Sequence, residues 1–320
     1  MILIISFSFT IKQYVFIQVG LFVLHILDVY RLGTVLCNHL LYLILNVRYT
    51  VRYLLYLLLI IVERSIFVYQ IEIFMKVTII QQDIAWKDVE KNISTLESLV
   101  AGAERADIYL FPEMCSTGFC MQPQGVAEEV DGLTVQTMKR LAVEYNAAMA
   151  VPVMTYENGK YYNRFYFITP EGVLGKYDKY HLFEYSGEDK VFEPGIEKVV
   201  WQWRGVRIRP VICYDLRFPV FLYNMEEYDM LLISANFPDS RMLAWDTLVR
   251  ARAIENQCYV AASNRVGFDE YGTYSGHSVI LNPYGQTIAS CKDGEQGSAT
   301  AELDDEMLMK IRFMHKLNRM

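Results

Sequence analysis

Hydrophobic and polar positions alternate in short blocks along residues 75–320, and each block predicts one element of secondary structure. Compact apolar runs that are bounded by polar or turn-forming residues predict buried strands. Such runs occur at residues 77–81, 107–111, 206–212, 230–234, 259–263 and 278–281. Asn158-Gly159 predicts a hairpin turn, and further turns are expected at residues 170–172 and 282–285.

Apolar residues three or four positions apart predict three amphipathic helices between these strands. The first helix carries Val89, Ile93, Leu96 and Val100, the second covers residues 135–145, and the third spans residues 243–257. Strands therefore alternate with helices, and the turn signals add hairpins. This order favours the α/β class with a mixed sheet, in one domain at residues 75–320.

Residues 1–74 differ in composition from the rest of the chain. They contain no Ala, Pro or Trp and only two Gly, and most of them are Ile, Leu, Val, Phe and Tyr. Five basic and three acidic residues occur in this segment, so it carries a net charge of +2 and the part that follows carries −9. We therefore place a domain boundary after residue 74.

Three interpretations of residues 1–74 compete. A membrane-associated segment is one, although the longest uncharged stretches, 13–27 and 32–47, are shorter than the roughly 20 residues of a spanning helix. A secretory signal fits poorly because no small-residue cleavage site follows an apolar core. The third is a translated leader upstream of a true start at Met75, where MKVTIIQQDIAW begins directly on the first predicted strand.

Composition excludes several classes of function. A chain of 320 residues that is 53% hydrophobic buries an ample α/β core, and its acidic balance argues against a nucleic-acid partner. The six cysteines form no CxxC pair, which predicts reduced thiols in a cytoplasmic protein. The five histidines form no HxH or HxxxH pair, so we expect neither a zinc site nor another cofactor.

Three chemically active residues follow apolar strands in the order Glu, Lys, Cys. Glu113 lies in LFPEMCSTGF, Lys179 in KYDKYHLF and Cys213 in VRIRPVICYDLRFP. Taken singly, each has an ordinary explanation as a cap, a solvated cation or a small buried hydrophobe. A side chain at a strand exit, however, is held rigidly and remains open to a substrate. The shared position therefore favours a thiol nucleophile with a base and a cation.

The backbone N–H of Tyr214 directly follows the thiol and is placed to stabilise a developing oxyanion. A hydrolase of this kind also needs to hold its substrate. Arg241 and Arg217 are candidates for binding a substrate carboxylate, although Arg217 could instead form a structural ion pair with Asp215 or a neighbour. Phe119 and Phe183 are candidate pocket walls, and packing in the core is the alternative for both.

These three runs, in this order and spacing, resemble the nitrilase or carbon–nitrogen hydrolase superfamily, whose members use a Glu-Lys-Cys triad. The resemblance covers residues 75–312 and extends to ANFPDSRMLAWDTLVRARAIENQCYVAASNRVG and YSGHSVILNPYGQ. Those last two runs are most similar to the ω-amidases, which hydrolyse the amide of 2-oxoglutaramate and 2-oxosuccinamate. One departure is Phe237, because this branch commonly has Trp after Ala-Asn.

The resemblance implies a four-layer α-β-β-α sandwich, paired into a homodimer through its helices. It assigns Glu113 as general base, Lys179 as oxyanion stabiliser and Cys213 as nucleophile that forms a thioester. Glu188 matches the second glutamate of the family, which supports the lysine and the proton relay. The implied partner is a small amide, and membrane contact is expected only if residues 1–74 are genuinely expressed.

Other functions remain open at this point. An N-carbamoyl or aliphatic amidase would use the same triad with a different pocket. A membrane-linked N-acyltransferase is suggested by the apolar N-terminal segment, and an idle binding protein would show a broken triad. A Cys-His protease using His181 is disfavoured because no orienting Asn or Asp motif accompanies the histidine.

Overall fold

The computed structural model describes residues 18, 50–51, 75–224, 228–304, 306–308 and 310. By its internal contacts, the chain divides into two compact units, Met1–Ile71 and Glu72–Met320. The expected leader or membrane-associated segment at residues 1–74 lies almost entirely outside the described residues. No described helix combines the length and the hydrophobicity that crossing a membrane requires.

The second unit contains strands and helices in alternation. The strands are β1 (Met75–Gln81), β2 (Ile108–Leu110), β3 (Glu128–Glu129), β4 (Ala148–Glu157), β5 (Lys160–Thr169), β6 (Gly172–Asp178), β7 (Trp201–Trp203), β8 (Val206–Ile212), β9 (Met230–Ala235), β10 (Tyr259–Asn264), β11 (Val266–Asp269), β12 (Gly272–Ser275), β13 (Val279–Leu281), β14 (Thr287–Ser290) and β15 (Gly297–Leu303). The α-helices are α1 (Val89–Gly102), α2 (Leu133–Tyr145), α3 (Pro219–Leu222) and α4 (Met242–Asn256).

Two mixed sheets form the centre of this unit. The first has the order β15-β1-β2-β4-β5-β6, with β3 paired to β4, and the second has the order β14-β13-β10-β9-β8-β7. Strands β1, β2 and β4 are parallel, as are β8, β9 and β10, whereas the outer pairs are antiparallel. The carboxyl ends of parallel strands are a common location for ligand sites in α/β folds.

Successive residues of the first sheet face opposite sides, which produces the layers. Ile79, Leu110 and Phe167 join a core with residues of the second sheet and of α4. Ile80, Tyr109 and other alternate residues instead pack against the apolar faces of α1 and α2. The observed architecture is therefore helix, sheet, sheet, helix, and it confirms the four-layer sandwich implied by the sequence.

Local sequence signals set the ends of these elements. The Asp88 carboxylate accepts a hydrogen bond from the Lys91 N–H at the start of α1. Between β4 and β5, Asn158 (φ 51°) and Gly159 (φ 80°) both adopt the left-handed conformation that a tight hairpin requires. The predicted hairpin is thus confirmed, as are the predicted strand at 206–212 and the three helices, within two residues at their ends.

Candidate active site

Cys213 lies at the carboxyl end of β8, where the chain turns into a short 3₁₀ helix, Cys213–Arg217. Its backbone is in the left-handed region, with φ 45°, a conformation that non-glycine residues seldom adopt. The residue is 9% exposed, whereas Glu113, Lys179 and Glu188 are all 0% exposed. Cys213 is therefore the least buried residue of this set. Strained backbone of this kind is frequent at functional sites.

Asp215 fixes the turn that carries the thiol. Its Oδ2 accepts hydrogen bonds from the Tyr177 hydroxyl (2.7 Å) and the Ile212 N–H (3.2 Å). Its Oδ1 accepts one from the His181 N–H (2.8 Å) and lies 2.9 Å from His181 Nδ1. Asp215 thus ties the Cys213 turn to the segment that carries Lys179.

Two expectations about neighbouring residues need correction. The alternative ion pair between Arg217 and Asp215 does not form, because Asp215 is buried and occupied by Tyr177 and His181, while Arg217 is exposed. The argument that His181 lacks an orienting acid was also wrong, since Asp215 is its partner. The His181 ring stacks on Phe218 at 3.6 Å between centroids, and its described contacts do not include the Cys213 thiol.

Glu113, Lys179 and Glu188 meet at one buried point. Lys179 Nζ lies 2.9 Å from Glu113 Oε1, 3.1 Å from Glu188 Oε1 and 2.8 Å from Glu188 Oε2. Glu113 follows β2 and Lys179 follows β6, two strands of the first sheet that β4 and β5 separate. The Phe183 N–H also donates to Glu188 Oε2 at 2.7 Å, which fixes that carboxylate.

Two asparagines complete this cluster, and sequence reasoning missed both. Asn163 Nδ2 donates to Glu113 Oε1 (2.8 Å) and to Glu188 Oε1 (2.9 Å). The Asn236 N–H donates to Glu113 Oε2 at 3.0 Å, and its side-chain amide donates to the Glu113 carbonyl at 2.7 Å. Asn236 directly follows β9, so the strand-exit criterion that selected Cys213 would also have found it. Asn163 lies inside β5, where that criterion does not apply.

The electrostatics of the cluster keep the lysine charged. Burial lowers the pKa of Lys179, but the carboxylates of Glu113 and Glu188 outweigh this effect and hold it above the ordinary lysine value. Burial also raises the pKa of Glu188, an effect that the Lys179 ammonium and the Asn163 hydrogen bond oppose and the Glu113 charge increases. The cluster therefore contains a charged Lys179 ammonium group between two carboxylates that have different hydrogen-bond partners.

The surroundings of Cys213 disfavour its thiolate. Burial raises the pKa of Cys213 well above its ordinary value, and the negative charge of Glu113 adds to this effect. The Lys179 ammonium and the Asn236 backbone N–H act in the opposite direction. A thiol in this setting needs a base to take its proton as it attacks.

A buried ion pair positions the strands that carry this cluster. Arg164 is 2% exposed, and its guanidinium lies 2.6 and 3.0 Å from the two oxygens of Asp178 and 2.7 Å from Glu157 Oε2. Arg164 directly follows Asn163, and Asp178 directly precedes Lys179. The pair therefore fixes β5 against β6 at the level of the site.

Replacing Arg164 by Met should lower the free energy of unfolding by about 2–3 kcal/mol, because Asp178 and Glu157 lose a buried partner but keep some contact with water. Arg140→Met is the matched control, since its ion pairs with Glu97 and Glu144 are exposed and contribute little. Urea unfolding of both variants measures the difference. Equal, small changes in the two would contradict the positioning role of Arg164.

Aromatic side chains surround the cluster. The Phe119 ring centroid lies 5.2 Å from Lys179 Nζ, and the Phe183 ring contacts the ring of Tyr214 at 5.0 Å between centroids. Both phenylalanines, expected as pocket walls or core residues, thus lie beside the site. The Tyr214 N–H, the expected oxyanion donor, follows the thiol in the 3₁₀ helix.

Arg241 lies on the same side of the site, at the end of the 3₁₀ helix Asp239–Arg241. Its guanidinium carbon is 4.6 Å from the Phe183 ring centroid and 5.4 Å from that of Phe237. Within the described residues, Arg241 has no carboxylate partner, whereas most other arginines of this region are paired. Arg217 has no described contact with these residues. The structure therefore brings Arg241, and not Arg217, to the cluster.

Among the described residues, no group of three or more His, Cys, Asp or Glu side chains is arranged to hold a metal ion. The chemistry available at the site is that of a thiol, two carboxylates, an ammonium group and backbone N–H donors. Such a set can form and hydrolyse a covalent acyl intermediate.

Comparison with known proteins agrees with this arrangement. The sequence profile of the carbon–nitrogen hydrolase family matches residues 76–313. The ω-amidase YafV of Yersinia enterocolitica is 38% identical over 240 residues, which cover 74% of this chain and 93% of that protein. The 2-oxoglutaramate amidase of Bacillus subtilis is 32% identical over 246 residues, which cover 74% of this chain and 95% of that protein.

The fold also matches a solved structure. The XC1258 protein of Xanthomonas campestris, a CN-hydrolase superfamily protein with an arsenic adduct in its active site, aligns with a TM-score of 0.72 and 34% identity. The alignment covers 75% of this chain and 94% of that one. The resemblance seen in the sequence is therefore confirmed: the chain belongs to the carbon–nitrogen hydrolase family and acts on carbon–nitrogen bonds other than peptide bonds.

Proposed function

We propose that the protein is an ω-amidase, which hydrolyses the terminal amide of 2-oxoglutaramate or 2-oxosuccinamate to the 2-oxo dicarboxylate and ammonia. The observation that carries this proposal is the meeting of Glu113, Lys179 and Glu188 at the Cys213 turn. The similarity to an ω-amidase and to a 2-oxoglutaramate amidase supports the choice of substrate.

In the first half of the reaction, Glu113 takes the proton of Cys213 as the sulfur attacks the amide carbon. The carbonyl oxygen becomes an oxyanion, which the Lys179 ammonium and the Tyr214 N–H stabilise. Glu113 then transfers the proton to the nitrogen, the carbon–nitrogen bond breaks, and ammonia leaves. The acyl group remains on Cys213 as a thioester.

In the second half, Glu113 takes a proton from a water molecule that attacks the thioester carbon. The same two donors stabilise the second oxyanion, and the proton returns to the departing sulfur. Glu188 remains beside Lys179 throughout and keeps the ammonium group in place. General acid–base catalysis of this kind typically contributes about 10²–10⁴-fold to the rate.

Arg241 is our candidate for the group that binds the far carboxylate of the substrate. Its guanidinium is held over two aromatic rings and has no described carboxylate partner, so its N–H donors are available for a bidentate contact. A 2-oxo acid amide supplies a carboxylate at a fixed distance from its reacting amide. An aliphatic or N-carbamoyl amide without that carboxylate gains nothing from this contact.

A panel of amides tests the proposal directly. Ammonia release should be fastest, by kcat/KM, from 2-oxoglutaramate or 2-oxosuccinamate, and slower by about ten-fold or more from aliphatic amides of equal length and from N-carbamoyl amines. A preference for N-carbamoyl amines would instead identify the alternative amidase with the same catalytic residues.

Replacing Arg241 by Met should raise KM for the 2-oxo acid amides by about 10–100-fold, because a charge-assisted hydrogen bond to the carboxylate is lost. Turnover of an uncharged aliphatic amide should change by less than about three-fold. Arg217→Met is the control, since Arg217 is exposed and has no described contact with Phe183 or Phe237. If Arg217→Met has the larger effect on KM, the assignment of the two arginines is reversed.

A further inference from the structure

One side-chain nitrogen contacts both carboxylates of the cluster. Asn163 Nδ2 lies 2.8 Å from Glu113 Oε1 and 2.9 Å from Glu188 Oε1. The Asn163 carbonyl also accepts the Lys179 N–H at 2.9 Å. All four residues are 0% exposed, so water cannot replace these bonds. Asn163 therefore connects the three charged groups through its side chain and its backbone.

The two oxygens of Glu113 have different partners. Oε1 accepts from Lys179 Nζ (2.9 Å) and from Asn163 Nδ2 (2.8 Å). Oε2 accepts from the Asn236 N–H at 3.0 Å. Among the described residues, Oε2 thus has one backbone donor, whereas Oε1 has two side-chain donors.

Rotation of the Glu113 carboxylate about its last bond would exchange these oxygens. The Asn163 bond opposes this rotation because it holds Oε1 beside the Lys179 ammonium. A second bond from the same nitrogen holds Glu188 Oε1, so Asn163 lies between two carboxylates that share a single ammonium group.

We propose, on the basis of the catalytic scheme above, that Asn163 is a positioning residue that divides the two oxygens of Glu113 between two tasks. Oε1 is held with Lys179, and Oε2 remains available to exchange a proton with Cys213. No motif of the sequence marks this residue, because its role arises only when β5 and β6 pair.

The ionisable groups that face the two glutamates are Lys179 and Cys213, and Tyr274 interacts with the charge of Cys213. None of them replaces the neutral donor that Asn163 supplies. Loss of this donor raises the pKa of Glu188, because the Asn163 hydrogen bond lowers it in the wild type. It also leaves Glu113 Oε1 with the Lys179 ammonium as its one side-chain donor among the described residues, so the Glu113 carboxylate can rotate more freely and its capacity to accept the thiol proton falls.

Alkylation of Cys213 by iodoacetamide measures this capacity without any assumption about the natural substrate. In Asn163→Ala, the rate at pH 7 should fall about ten-fold, because a misplaced carboxylate accepts the thiol proton less readily. Asn163→Ser, whose hydroxyl can donate to only one carboxylate, should lie between the two. Peptide mass spectrometry identifies the modified thiol.

Asn256→Ala is the matched control, because Asn256 is buried and hydrogen-bonded to Asn224 and Arg252 outside this cluster. It should lower thermal stability without changing the alkylation rate. An unchanged rate in both folded Asn163 variants overturns the inference. An unchanged rate in Glu113→Gln instead overturns the catalytic scheme itself, so the two failures are distinguishable.

Discussion

Replacing Cys213 by Ala should reduce turnover of every amide substrate by at least about 10⁴-fold, because no covalent intermediate can form. The protein should remain folded, with a thermal midpoint within a few degrees of the wild type. Alanine and cysteine both carry a Cβ, so the left-handed backbone at φ 45° is no more unfavourable in the variant. Steady-state ammonia release and a thermal melt measure the two effects.

Cys258→Ala is the control for this experiment. Cys258 is fully buried, and burial raises the pKa of its thiol well above the ordinary value, which makes it an unreactive thiol of comparable size. This variant should keep wild-type turnover. Acid-quenched wild-type enzyme should also show the mass of one acyl group, on Cys213 alone. Activity above about 1% in Cys213→Ala, or an acyl group on another cysteine, would remove Cys213 from the scheme.

The strands that surround the site could be predicted because they are short runs of mainly apolar residues, which are buried in the core. The run at 206–212 contains four β-branched residues, and β8 has these same bounds. Strands β14 and β15 could not be predicted in this way. The residues of β14 are largely exposed, and alternate residues of β15 are exposed, so their pairing with β13 and β1 leaves a weak hydrophobic pattern.

The main residues of the site share one local signal, which explains how far the sequence could identify them. Glu113, Lys179 and Cys213 all follow strands, and a reactive side chain after an apolar run is visible without a structure. Asn163 instead lies within β5, so only the register of β5 against β6 shows that it meets Lys179. Long-range pairing of this kind leaves no trace in the local sequence.

Asp215 illustrates a second limit. Proximity in the chain suggested Arg217 as its partner, but the turn at Cys213 directs the carboxylate inward to Tyr177 and His181. These partners lie 38 and 34 positions away. Closeness in sequence therefore predicts the partner of a charged side chain poorly where the backbone turns sharply. The left-handed conformation of Cys213 could not be inferred from its residue type.

Replacing Lys179 by Met should affect both activity and stability. The oxyanion loses its ammonium donor, so kcat should fall by at least about 10²–10³-fold. Glu113 and Glu188 remain buried without a cation, and the free energy of unfolding at pH 7 should fall by about 3–5 kcal/mol. Urea unfolding and steady-state kinetics measure these effects. Lys139→Met, which removes only an exposed pair with Asp131, should change the unfolding free energy by at most about 0.5 kcal/mol.

The stability loss in Lys179→Met should depend on pH in a defined direction. Burial already raises the pKa of Glu188 in the wild type, and the ammonium that opposes this effect is absent in the variant. A group with a raised folded-state pKa stabilises the fold below its unfolded pKa of about 4.3, and this contribution disappears as pH rises through the folded value. The loss should therefore be larger at pH 8 than at pH 5. Adding Glu188→Gln should recover stability at pH 8, because one buried charge is removed. An equal loss at both pH values would show that the two carboxylates do not depend on the lysine for their charge.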